Sequence, residues 1–133
     1  SLFNDQKVII FGVPGAFTKV CSARHLPSFV KNFDEVKKKG ISKIFCLSVN
    51  DPNVMNAWGE THNVGDKILM LADPYCNFTK SIGAEVDRTE RGLGIRSSRY
   101  TMLIENGVAT KIKEESDTGI CEISAAENFL KEI

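Results

Sequence analysis

At 133 residues the chain has room for one domain with a single buried core and not for two ordinary ones. Its 17 basic and 17 acidic residues cancel, so no overall field favours nucleic acid or an anionic membrane, and no apolar run approaches the ~18 residues of a membrane span. Four cysteines without CxxC spacing and two histidines argue against a structural zinc site, and the cysteine density argues against a secreted disulfide framework.

The opening Ser1–Gln6 carries no signal-peptide pattern and leaves room for an upstream or removed targeting segment. Val8–Phe11 is a continuous apolar run, read as a strand buried on both faces, and it stops at Gly12 before a Pro14–Gly15 turn. From Thr18, Leu26, Phe29, Val30, Phe33 and Val36 recur at spacings of three and four. That stripe predicts a helix ending at Gly40, kinked at Pro27, with Lys37–Lys39 as a solvated helix end. Lys43–Val49 reads as a second buried strand. Asp51–Pro52 supplies a cap and first-turn proline for a short helix through Trp58. Ile68–Leu71 reads as a third strand, residues 78–82 as a brief helix, and 85–94 as a polar loop. Asn106–Gly107 joins strands 100–104 and 108–112 in a hairpin. Ser124-Ala125-Ala126-Glu127 has capping-box spacing before a last helix reaching Ile133. This order predicts one α/β domain over 1–133, with a mixed β-sheet flanked by helices on both faces in a thioredoxin-like arrangement.

Cys21 falls about one turn into the first helix, after a glycine-containing turn. Free backbone N–H groups and the positive end of the helix dipole there favour a thiolate over a thiol. Thr18 is placed to cap that helix and bring its hydroxyl near the sulfur. A helix-start cysteine is equally compatible with a small buried apolar side chain, so position alone leaves the choice open.

The residues around it narrow the choice. Pro14-Gly15-Ala16-Phe17-Thr18-Lys19-Val20-Cys21 matches a P-x-x-x-T-x-x-C pattern, and Cys21-Ser22-Ala23-Arg24-His25-Leu26-Pro27 continues it as C-S-x-x-H-x-P. With Leu47–Asp51, Asn56–Trp58, Leu71–Asp73 and Arg96–Tyr100 in the same order, the chain from Lys7 to Ile133 resembles the peroxiredoxins of type II, the peroxiredoxin 5 subfamily.

That resemblance implies a thiol peroxidase reducing hydrogen peroxide and alkyl hydroperoxides. It places Cys21 at the peroxidatic position, Thr18 and Pro14 at the hydroxyl and shielding positions, and Arg99 at the arginine that precedes an aromatic strand residue. His25 and Arg96 are read as supporting residues, and Phe17 and Trp58 as packing or interface residues. Attack on peroxide leaves a sulfenic acid that a second thiol must recycle. Cys46 and Cys121 are the candidates inside the chain, the first expected to be buried and inert, the second about two positions early for a resolving cysteine. Cys76 matches no position of the family. Recycling by an external thiol, through glutaredoxin with glutathione or through thioredoxin, is therefore expected, with no bound cofactor. The resemblance also implies a homodimer. A cytoplasmic setting is expected, or an organellar one where a targeting segment precedes Ser1. A redox-sensing protein, in which Cys21 oxidation alters a partner interface, would share the same motifs. A thioredoxin-type disulfide oxidoreductase would need the missing CxxC.

Overall fold

The computed structural model describes residues 6–133. Residues 1–5, where the sequence leaves room for an upstream segment, lie outside the described residues.

Strands β1 (Lys7–Val13), β2 (Lys43–Ser48) and β3 (Leu69–Ala72) run parallel, and β6 (Tyr100–Glu105) and β7 (Val108–Glu114) complete a five-stranded sheet in the order β3-β2-β1-β6-β7. β6 lies antiparallel to both β1 and β7. Helices cover both faces, as expected. On one face α1 (Leu26–Lys31), α3 (Pro52–Thr61) and α5 (Ala126–Phe129) close a core built on Ile9, Phe11, Phe29, Trp58 and Phe129. On the other, α4 (Asn77–Ser81) brings Phe78 against Ile10, Phe45 and Tyr100. The apolar runs of β1 and β2 are continuous because these strands bury both faces.

Several predicted signals form as read. Asn106 and Gly107 take φ of 50° and 80°, the paired positive values that a tight hairpin turn demands. Gly40 ends the helix α2 (Phe33–Lys38) at φ +84°, its N–H on the Lys37 carbonyl at 3.0 Å. Asp51 Oδ1 accepts from the Val54 N–H at 2.9 Å at the start of α3. Removing that cap in Asp51→Ala is expected to cost about 1 kcal/mol, read as a lower urea midpoint at unchanged slope.

Four expectations need correction. The long first helix is not one α-helix: Cys21–His25 is π-helical, and α1 and α2 part at Asn32, whose backbone leaves helical geometry while its amide side chain donates to the Ser28 carbonyl at 2.8 Å. Pro27, expected to kink a helix, instead stands in the first turn of α1, directly after the wide π turn in which the Leu26 N–H reaches back to the Cys21 carbonyl. Thr18 closes the first turn through its carbonyl, which accepts from the Ser22 N–H at 2.9 Å, while its hydroxyl donates to the Gly15 carbonyl at 2.6 Å. Residues 85–94 are not simply a loop, because β4 (Glu85–Arg88) pairs antiparallel with β5 (Gly94–Ser97) in a separate two-stranded ribbon. The capping box does not form either. Ser124 spends its hydroxyl on Glu115, and α5 is capped from outside by Ser28 Oγ, which accepts the Ala126 N–H at 3.1 Å.

Candidate active site

β1 ends in the turn that carries Pro14, and the backbone then enters the π-helical run at Cys21. The turn is tied down from two sides. Asn50, two residues beyond β2, accepts from the Ala16 N–H at 3.0 Å and from Ser48 Oγ at 2.7 Å. Arg96 donates to the Pro14 carbonyl at 3.4 Å and to the Leu93 carbonyl at 2.8 Å, so the ribbon braces the turn. Trp58, fully buried on α3, donates its indole N–H to Ser22 Oγ at 2.9 Å and fixes the residue after the cysteine.

Arg99 precedes β6 and is only 1% exposed. Its neighbour Tyr100 pairs with Gly12 across β1, and a Cβ on Gly12 would lie 2.2 Å from the tyrosine ring, so only glycine lets β6 sit this close. That placement aims all of the arginine's donor groups inward. Nη2 donates to Cys21 Sγ at 3.1 Å, Nη1 to His25 Nδ1 at 3.1 Å, and Nε to the Thr118 carbonyl at 3.1 Å.

The partners fix the protonation state of His25. A guanidinium only donates, so Nδ1 is the acceptor. Nε2 lies 3.1 Å from the Ser124 carbonyl, which only accepts, so Nε2 carries the hydrogen. Thr101 Oγ1 gives its own hydrogen to that carbonyl at 2.6 Å and receives a share of the histidine N–H at 3.1 Å. His25 is therefore neutral, in one tautomer. Burial, reinforced by the Arg99 and Arg24 charges, holds it well below the ordinary 6.5 against a smaller opposing effect of the Ser124 carbonyl. Ser124 is itself clamped, its N–H and hydroxyl both donating to Glu115 Oε2 at 2.7 Å.

Among the described residues no carboxylate forms an ion pair with Arg99. A buried guanidinium without a counter-charge is costly by several kcal/mol. Neutral histidine and a peptide carbonyl supply dipoles only, and the remaining partner of the guanidinium is the Cys21 sulfur. The sulfur is buried behind a mouth lined by Pro14, Thr18, Lys19 and Arg99. A buried sulfur, a guanidinium donating to it and a hydroxyl in the neighbouring cavity wall are an arrangement suited to nucleophilic attack by sulfur on a small substrate.

Of the residues singled out in the sequence, Cys21, Arg99 and His25 meet directly, Thr18 and Pro14 line the entrance, and Arg96 braces the turn. Cys46 is buried on β2, and its thiol is pushed well up by burial and further by the neighbouring Cys21. Cys121 is buried before α5, its sulfur 3.8 Å from Ser124 Oγ, and burial pushes its thiol up too. Phe17 is 54% exposed at φ 63°, its ring centroid 6.5 Å from that of Trp58. Asn50, Thr101, Thr118 and Ser124 belong to the arrangement and were not singled out for it. Asn50 falls in a quoted motif without a role, Ser124 was read only as a helix cap, and Thr101 and Thr118 carry no spacing signal of their own.

The fold places the chain in the thioredoxin-like class, with a buried thiol and a guanidinium in contact at its site. A model of the family "Redoxin" matches residues 1–130. Peroxiredoxin-2C of Arabidopsis thaliana is 45% identical over 131 residues, spanning 98% of this chain and 80% of that protein. Among solved structures, Prx3 of Vibrio vulnificus in complex with hydrogen peroxide superposes with a TM-score of 0.93 at 46% identity, covering 98% of this chain and 80% of that one. Peroxiredoxin 5 of Alvinella pompejana gives 0.85 at 36% identity, covering 97% and 79%. The chain belongs to the peroxiredoxin family, as a type II member and a thiol peroxidase.

Proposed function

We propose that Cys21 is the peroxidatic nucleophile, that it reduces hydrogen peroxide and alkyl hydroperoxides, and that an external thiol recycles it. The carrying observation is the Arg99 guanidinium, buried without a carboxylate and donating to Cys21 Sγ at 3.1 Å. The thiolate attacks the terminal oxygen of the hydroperoxide, the S–O bond forms as the O–O bond breaks, and the departing alkoxide takes a proton and leaves as alcohol or water. Sulfur gives up two electrons and becomes a sulfenic acid. Arg99 answers the anionic sulfur before attack and the developing oxygen charge during it. Thr18 has committed its hydrogen to Gly15, so its lone pairs face an incoming O–H and accept it. The Cys21 N–H precedes the first helical backbone bond, from Ser22 to Thr18, and adds a donor for the peroxide. Pro14, with no N–H, walls the entrance without competing for it.

Recycling condenses the sulfenic acid with one thiol, releasing water and leaving a mixed disulfide. A second thiol then exchanges with that disulfide and restores Cys21. Burial raises both Cys46 and Cys121, which makes them poor nucleophiles and supports an external donor such as glutathione with glutaredoxin, or thioredoxin. No bound cofactor enters this cycle. The family likeness and the exposed Phe17 beside the site support a homodimer. The test is steady-state peroxide consumption with each reductant system separately, in the natural chain and in Cys46→Ser and Cys121→Ser. Turnover retained within about twofold in both variants is expected, because neither thiol sits among the site's donors. Loss of turnover in either variant, with the sulfenic acid still forming, would overturn the external route.

A further inference from the structure

The space outside Cys21 is larger than hydrogen peroxide requires. The entrance opens into a cavity of about 440 Å³, within the range of about 300–1,000 Å³ that takes whole organic ligands. Its wall is basic in a chain with no net charge. Lys19, Arg88, Arg91 and Arg99 all line it, and no aspartate or glutamate does.

Arg88 stands next to the chemistry. Its Nε donates to Thr118 Oγ1 at 3.0 Å, and the carbonyl of the same threonine receives Arg99 Nε at 3.1 Å. Sulfur, Arg99, Thr118 and Arg88 thus form one connected series from the buried thiol to the rim. Two acids beside Arg88 in the chain offset it only in part. Glu90 reaches Arg88 Nη1 only at 3.6 Å with a side chain 73% exposed, and Asp87 is occupied by the N–H and hydroxyl of Thr89. The cavity therefore has in its wall Arg99, the residue that donates to Cys21 Sγ, and a cluster of cations of which only Arg88 meets a carboxylate, the exposed Glu90, among the ion pairs of the described residues.

We propose that this rim is a recognition site for hydroperoxides whose organic part carries a carboxylate. The carboxylate meets Arg88 and Arg91 while the hydroperoxide end reaches Cys21. This rests on the reading of Cys21 as the peroxidatic nucleophile. The chemical step is unchanged, and the product is the corresponding hydroxy acid.

The test compares cumene hydroperoxide bearing a para carboxylate with its neutral methyl ester. Both are reacted with the reduced protein in single-turnover mixes, quenched by thiol alkylation and read by mass. With no thiol present, a carboxylate-bearing reductant that the same rim would attract plays no part. The acid is expected to react about five to ten times faster than the ester at low ionic strength, the scale of one or two partly exposed ion pairs. The ratio should fall towards one as salt rises and should be near one at all salt concentrations in Arg88→Gln/Arg91→Gln. A ratio near one in the natural protein, or one that survives the double substitution, overturns the proposal. If hydrogen peroxide run in parallel leaves Cys21 unoxidised, the peroxidatic reading itself falls, and the recognition site with it.

Discussion

Replacing Arg99 by lysine should lower the second-order rate constant for Cys21 oxidation by about 10²–10³, the effect of removing one preorganised donor from a developing negative charge. Lysine keeps a positive charge but not the fork. One ammonium cannot reach Cys21 Sγ, His25 Nδ1 and the Thr118 carbonyl together, which Arg99 does at 3.1 Å each. Arg99→Gln removes the charge as well and should fall at least as far. Rapid mixing of reduced protein with hydrogen peroxide, followed by alkylation of the remaining thiol, measures this directly. A loss under threefold would show that the sulfur does not depend on the guanidinium.

His25 should make the fold acid-sensitive in a range where carboxylates do not yet titrate. Its pKa in the folded protein lies below the ordinary 6.5, so under about pH 6.5 the unfolded chain binds a proton that the folded chain refuses. The contribution is fully present above that pH and is lost as pH falls, by up to about 1.4 kcal/mol per unit until the folded value is reached. Thermal midpoints between pH 7.5 and 5 should decline accordingly. His25→Gln, which keeps an acceptor and a donor but does not titrate, should flatten that limb and retain most of the peroxide reactivity. His25→Leu should flatten it too, yet lose about tenfold in rate, because the Arg99 Nη1 donor loses its acceptor. That split separates a residue positioning Arg99 from one that merely fills space, for which leucine would serve as well as glutamine.

Much of the fold was legible because burial leaves plain marks. β1 and β2 read as strands since both faces are covered, and Asn106–Gly107 read as a turn since few other pairs accept two positive φ values. The ribbon of β4 and β5 left no such mark. Its cross-strand pairs are half-buried, as Val86 with Arg96, or exposed, as Asp87 with Ile95, and mix polar with apolar residues on both strands. The serine capping box failed for a different reason. Spacing shows that Ser124 can reach an N–H, but not that Glu115 binds its hydroxyl first.

The site divides in the same way. Cys21 was singled out by its place at a helix start and by the motif around it, while Arg99 was singled out by the resemblance alone and its burial had no mark in the sequence. An arginine before a strand is ordinarily solvated, and what holds this one inside is a sulfur 78 residues earlier in the chain. The single tautomer of His25 depends on Arg99, Thr101 and Ser124 together, which no local pattern brings to one place.

The most direct test treats the reduced protein with one equivalent of hydrogen peroxide and then locates the modified cysteine by intact mass and peptide mapping. Cys21 alone should gain one oxygen within seconds, with Cys46, Cys76 and Cys121 unchanged and no disulfide formed. A Cys21 thiol left intact while peroxide remains, or oxygen on another cysteine in its place, would contradict the assignment of Cys21 as the peroxidatic nucleophile.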